Sequence, residues 1–156
     1  MNRSKGFTLV ELMITLAVFS FLLTMGVQLT SAWMDSAKQR DAAGLLKQGI
    51  SRAKATALRN PGAAPEGSSA AVLCLSGQAL KLFGATQSGA INCASTTGVL
   101  WTAQLPASAT LQANGSDLSC IAFNSRGLPS AGGSACATSS VDVTVGNESA
   151  FNVLII

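Results

Sequence analysis

Apolar and polar positions divide the chain into stretches of different pattern. From 7 to 34, apolar residues follow one another without a period, and Leu12, Met13, Ile14, Leu16, Val18 and Phe19 would cover every side of a helix. Glu11 is the only formal charge in that stretch, and Arg3 and Lys5 stand just ahead of it. From 35 to 60 the pattern becomes amphipathic. Leu46, Ile50, Ala53 and Ala57 recur at helical spacing, with Leu45, Gly49 and Leu58 beside them, while Lys47, Arg52, Lys54 and Arg59 point elsewhere. One long helix is therefore predicted from Phe7 to the Pro61-Gly62 stop, where proline disfavours helix at the residue before it and glycine suits the exit. Its second half is expected to be a spine whose small-residue stripe receives a sheet.

Beyond a Pro-, Gly-, Ala- and Ser-rich linker at 61–69, the period shortens to that of strands. Short runs at 71–75, 79–83, 98–105, 109–113, 118–123, 141–145 and 151–156 are separated by turn residues. Asn114-Gly115 is a hairpin signal between two of them. Gly127-Leu128-Pro129-Ser130 and Gly132-Gly133 mark a loop. A long helix followed by antiparallel strands predicts an α+β fold: an N-terminal helix, membrane-embedded in its first half, packed on a C-terminal antiparallel β-sheet domain.

Composition narrows the possibilities. Apolar residues make up 48% of the chain and charged ones 11%, which excludes bulk disorder. Its 156 residues suit one anchoring helix and one modest domain. The net charge of +3 is unevenly spread. Lys38, Arg40, Lys47, Arg52, Lys54 and Arg59 crowd the segment before Pro61; beyond it only Lys81 and Arg126 stand against Glu66, Asp117, Asp142 and Glu148. The basic helix face reads first as a solvated surface, then as a site of salt bridges to neighbouring subunits. Nucleic acid ranks last, because stacking aromatics and a basic strand edge are missing. Trp33 is expected at a membrane interface or subunit contact, and Trp101 in the β-domain core.

Four cysteines, Cys74, Cys93, Cys120 and Cys136, fall in the β region. An even number outside the cytoplasm suggests disulfides, for which four cysteines allow three connectivities. Local pairing, Cys74 with Cys93 and Cys120 with Cys136, is favoured because each closes a short loop. Zinc carries little weight, since no C-x-x-C pair and no histidine occurs. The lack of histidine also rules out a Ser-His-Asp arrangement. Ser51 precedes Lys54 by one helical turn, a spacing that suits a capping or surface pair. No enzyme, cofactor or metal site is expected.

About 20 apolar residues span a bilayer, and an ionised side chain inside one costs at least a few kcal/mol. Glu11 therefore needs a partner, and the simplest is a free amine on a neighbouring copy of the same segment. Cleavage between Gly6 and Phe7 would create that amine beside the apolar run. A secretory signal peptide would instead have its small-residue cleavage site after the run, where no clean A-x-A occurs. An ordinary single-pass anchor gives no reason for Glu11 or for Gly6-Phe7.

Gly6-Phe7-Thr8-Leu9-Val10-Glu11-Leu12-Met13 resembles the class III signal of type IV pilins and type II secretion pseudopilins. The resemblance implies that a separate prepilin peptidase cuts after Gly6 and N-methylates Phe7, and that Glu11 serves in filament assembly. Divided accordingly, 1–6 is a leader, 7–34 a transmembrane and filament-core helix, 35–60 an amphipathic continuation and 61–156 a disulfide-stapled β domain. Two further stretches, Ser51-Arg52-Ala53-Lys54-Ala55-Thr56-Ala57-Leu58-Arg59-Asn60 and Cys120-Ile121-Ala122-Phe123-Asn124-Ser125-Arg126-Gly127-Leu128-Pro129, resemble GspH/FimT-type minor pilins.

There are departures from the family pattern. Gln28 stands where many pilins carry a helix-kinking proline, and no basic residue follows Arg126, where DNA-binding relatives often have an arginine motif. The expected function is that of a minor pilin or pseudopilin, with a DNA-uptake or adhesive binding subunit as the alternative. Its expected place is the bacterial inner membrane, N-terminus cytoplasmic and β domain periplasmic, and then a pilus or pseudopilus. Other major and minor pilin or pseudopilin subunits are the expected partners.

Overall fold

A computed structural model describes residues 6–86, 91–131 and 136–156, without the side chains of 26–29. Arg3, Lys5, the Gln28 side chain and Gly132-Gly133 lie outside the described residues. The architecture is α+β: a long N-terminal helix followed by antiparallel sheets.

Helix α1 spans Leu9–Arg59. It starts two residues later than the apolar pattern predicts because Thr8 acts as its N-cap. The Glu11 amide donates to Thr8 Oγ1 at 3.3 Å, and the Leu12 amide to the Thr8 carbonyl at 3.2 Å. At the other end the exit residue is Asn60 rather than a glycine. Asn60 takes the left-handed conformation, with φ of 41°, and its side chain exchanges hydrogen bonds with the Ala64 backbone at 2.8 and 3.0 Å. Gly62 serves a different purpose, since a Cβ there would stand 2.2 Å from the Ala85 carbonyl oxygen.

The chain divides into two compact units, Met1–Asp35 and Ser36–Ile156. In the first, the described apolar side chains are exposed all round α1. In the second, Ala42, Ala43, Leu46, Ile50, Ala53 and Ala57 form the buried stripe of α1. Gly49 belongs to that stripe: a Cβ there would meet Leu73 at 3.0 Å and Trp101 at 3.1 Å, so the missing side chain lets helix and sheet close up.

The strands are β1 (Ser69–Ser76), β2 (Ala79–Gly84), β3 (Val99–Gln104), β4 (Ala109–Ala113), β5 (Ser116–Asp117), β6 (Cys120–Asn124), β7 (Pro129–Ser130), β8 (Ser140–Val145) and β9 (Phe151–Leu154). They form two sheets, ordered β3-β2-β1-β6-β7 and β5-β4-β8-β9, with antiparallel pairing throughout. Asn114-Gly115 makes the β4–β5 turn, both residues at positive φ (52° and 76°), as its hairpin signal requires.

Three short pieces depart from the pattern. Ser116-Asp117, outside every expected run, pairs with β4 as β5, so Asn114-Gly115 turns the chain into this short strand and not into the 118–123 run, whose β6 lies in the other sheet. Pro129-Ser130, expected in a loop, pairs with Phe123 and Ala122 as a sheet edge, a position proline tolerates. Leu118, expected in a strand, precedes β6; it is buried, and its amide donates to the Leu111 carbonyl at 2.9 Å.

One apolar core joins α1 to both sheets through Leu73, Leu80, Ile121, Phe123, Val143 and Val153 among others. A second, smaller cluster of Val72, Cys74, Phe83 and Ala122 lies on the opposite face of the first sheet. The Cys74–Cys93 and Cys120–Cys136 disulfides border this second cluster, with Cα separations of 5.5 and 4.6 Å. Trp101, expected in the core, is only partly buried. Its strand β3 is a sheet edge, so the ring packs on the margin of the core beside α1.

Candidate processing and assembly site

The candidate site lies at the start of α1. Gly6 and Phe7 precede the first helical residue, and both are exposed. A protease needs an extended, accessible backbone, and the Thr8 cap places the Gly6-Phe7 bond outside the helix. Glu11 sits in the first turn, where a carboxylate complements the unpaired amides of a helix N-terminus.

Thr8-Leu9-Val10-Glu11 has the spacing of a capping box, but only one half of it forms. The Thr8 hydroxyl accepts from the Glu11 amide, whereas the Glu11 carboxylate has no hydrogen-bond or ionic partner among the described residues. The Thr-x-x-Glu spacing was the available signal for this cap, which the apolar pattern alone does not show.

The side chains around Glu11 sharpen its position. The first half of α1 is apolar and its described side chains are exposed, so by length and composition α1 can cross a membrane. Two hydroxyls within the apolar stretch are satisfied by their own helix. Thr15 donates to the Leu12 carbonyl at 2.9 Å and Thr24 to the Phe21 carbonyl at 2.8 Å, the arrangement an apolar medium demands. The Glu11 carboxylate, by contrast, presents an ionisable group on an otherwise apolar surface. Trp33, also on this half of α1, is exposed.

Past Asp35 three basic residues of α1 reach the β domain, each in its own way. The Lys47 ammonium lies 5.2 Å from the centre of the Phe151 ring, and the Arg52 guanidinium 5.4 Å from that of Trp101. Lys54 donates to the Ile156 carbonyl oxygen. Ser51 donates back to the Lys47 carbonyl at 3.0 Å, so Ser51 and Lys54 are each committed to backbone and do not form a nucleophile–base pair. Cys74, Cys93, Cys120 and Cys136 are all consumed in disulfides. Among the described residues, no group of three His, Cys, Asp or Glu side chains converges as a metal site.

One positioning residue escaped the sequence pattern. Gln39 is buried, and its side-chain amide donates to the carbonyls of Val143 at 2.9 Å and Ser149 at 2.7 Å. It thereby fixes α1 to β8 and to the turn that follows. Its position three before Ala42 and seven before Leu46, on the buried stripe, was the available signal.

A family model described as the prokaryotic N-terminal methylation motif matches residues 1–27. No curated protein and no solved structure matches the chain significantly. The motif match supports a type IV pilin-like subunit, implies processing by a prepilin peptidase and assembly with other pilin subunits, and is consistent with membrane anchoring.

Proposed function

We propose that this chain is a minor pilin or pseudopilin, of the GspH/FimT type, that works by assembly rather than catalysis. Its precursor is held in the inner membrane by the first half of α1, with the β domain on the periplasmic side. Cleavage between Gly6 and Phe7 and N-methylation of Phe7 leave an amine three residues before Val10 and four before Glu11. In the apolar core of a filament, the Glu11 carboxylate pairs with that amine on an adjacent subunit. The pairing offsets the cost of holding either charge there alone, and it sets register, because a misplaced subunit leaves a charge without its partner.

The observation that carries this reading is the Glu11 carboxylate itself: the lone charge of an exposed apolar helix, partnerless among the described residues, five positions from Gly6. The test is incorporation into filaments by cells that carry the processing and assembly proteins. Glu11→Leu is expected to be cleaved yet left in the membrane, and Gly6→Leu to persist as an uncut precursor of higher mass. Normal incorporation of Glu11→Leu would refute the pairing role, and normal trimming of Gly6→Leu would refute the cleavage site.

A further inference from the structure

An asparagine followed by glycine is open to spontaneous loss of its side-chain amide, because the glycine nitrogen can attack the side-chain carbonyl carbon with no Cβ in the way. The chain has one such pair, Asn114-Gly115, at the β4–β5 turn. Both residues are exposed. The Asn114 carboxamide has no hydrogen-bond partner among the described residues, and the Gly115 amide donates to none of them. A Cβ on Gly115 would meet nothing within 4 Å, so that side of the turn is open.

The other described asparagines are each held back by a particular contact or neighbour. Asn60 is followed by Pro61, whose nitrogen carries no hydrogen to lose. The Asn92 side-chain oxygen accepts from the Ala94 amide at 2.9 Å, and that of Asn124 from the amides of Arg126 and Leu128 at 3.0 Å each. After Asn147, the Glu148 amide that would attack is already donated to the Val145 carbonyl at 3.1 Å. Asn152 donates to Asp142 at 2.6 Å, and the residue after it is the β-branched Val153, buried within the β8–β9 ladder. Ring closure at these positions would first have to break the contact; Asn114 has none to break.

We propose that Asn114 is a site of spontaneous deamidation, with water as the only co-reactant. The Gly115 nitrogen forms a bond to the Asn114 side-chain carbonyl carbon. Ammonia leaves with the side-chain nitrogen and, through solvent, the proton that Gly115 gives up. Water then opens the cyclic imide at either carbonyl, giving aspartate or isoaspartate. The Asn114-Gly115 peptide must swing toward the side chain for the ring to close, so the paired turn has to open first. That opening is cheap, because β5 has only two residues, both exposed, at the edge of its sheet.

The product alters the sheet edge in charge and in length. An acid at 114 joins Asp117 in a stretch, 82–125, that holds no lysine or arginine. Isoaspartate also routes the main chain through the side-chain carbon, so the turn gains a backbone atom and the Ala113↔Ser116 pairing that it closes is lost. The inference goes beyond the filament role and does not depend on it.

The test holds the full chain in detergent at neutral and mildly alkaline pH, beside a denatured sample that serves as the clock. Isoelectric focusing and residue-resolved peptide mass spectrometry follow both. The expected result is an acidic form that grows with time and faster at the higher pH, with Asn114 converted before any other asparagine of the β domain and isoaspartate among the products. Asn114→Gln should abolish that form. A folded chain that keeps Asn114 intact while the denatured sample converts it would show that the paired turn protects the bond, and would overturn the proposal. Earlier conversion of Asn92, Asn124 or Asn147 would do the same, as would aspartate formed without isoaspartate, the mark of direct hydrolysis. None of these outcomes bears on Glu11→Leu, whose incorporation tests the filament role separately.

Discussion

The Gln39 side-chain amide donates to the Val143 carbonyl across 104 positions of sequence, at 2.9 Å and in a buried setting. The same nitrogen reaches the Ser149 carbonyl at 2.7 Å. Gln39→Leu keeps the volume and removes the donor, and is expected to cost about 1–3 kcal/mol. Gln39→Glu should cost more, because it sets an acceptor against two acceptors. Thermal unfolding of the full chain in detergent, followed by near-ultraviolet circular dichroism, should rank the wild type above Leu and Leu above Glu.

Three glycines should respond differently to the same methyl group. At Gly44 a Cβ meets nothing within 4 Å, so Gly44→Ala gains helix propensity, about 1 kcal/mol. At Gly49 that gain is set against contacts of 3.0 Å to Leu73 and 3.1 Å to Trp101, and Gly49→Ala should fall below Gly44→Ala. At Gly62 the obstacle is the Ala85 backbone, which cannot swing aside, so Gly62→Ala should destabilise by about 1–3 kcal/mol or more. Denaturant midpoints of the three variants would check the order.

The two disulfides close loops with sequence separations of 19 and 16. In the chain-entropy view each contributes about 3 kcal/mol. Cys74→Ser with Cys93→Ser, and Cys120→Ser with Cys136→Ser, should each lower the unfolding midpoint, and reduction of the wild type should lower it further than either pair. Non-reducing peptide mapping should recover the two local links and no peptide joining Cys93 to Cys120.

Leu16 and Leu46 lie on the same helix and should behave as though they belonged to different proteins. Leu46 is 0% exposed, and Leu46→Ala should cost about 2–5 kcal/mol of domain stability. Leu16 is 60% exposed in the first unit, so Leu16→Ala should leave the unfolding midpoint of the β domain unchanged. A thermal scan of both variants separates the two roles.

Much of this layout was legible because it rests on local patterns. The Leu46, Ile50, Ala53 and Ala57 spacing set the buried stripe of α1, and Asn114-Gly115 supplied the hairpin turn it signals. What escaped depends on pairings distant in sequence. Residues 129–130 become a strand only because β6 lies beside them, and Trp101 stays partly exposed only because β3 ends a sheet. Gln39 looks like any polar helix residue until β8 and the turn after it each bring one carbonyl to it. The helix exit falls to Asn60, whose amide can bind the chain it releases, while the glycine two places on is reserved for a close backbone approach. The motif around Gly6 and Glu11 was legible as chemistry, since a lone carboxylate in an apolar run needs a counter-charge whatever the fold.

Cys74 and Cys120 are direct partners across the β1–β6 ladder, although neither is bonded to the other. All four sulfurs therefore share one patch on the face of the first sheet turned away from α1. The two bonds lie on neighbouring strands of that face, so a thiolate released at one would meet the other without separation of β1 from β6. A bond first made between Cys74 and Cys120 would thus be corrected with the strands still paired: attack by the Cys93 thiolate on the Cys74 sulfur forms the Cys74–Cys93 bond and releases the Cys120 thiolate, which an external oxidant then joins to Cys136.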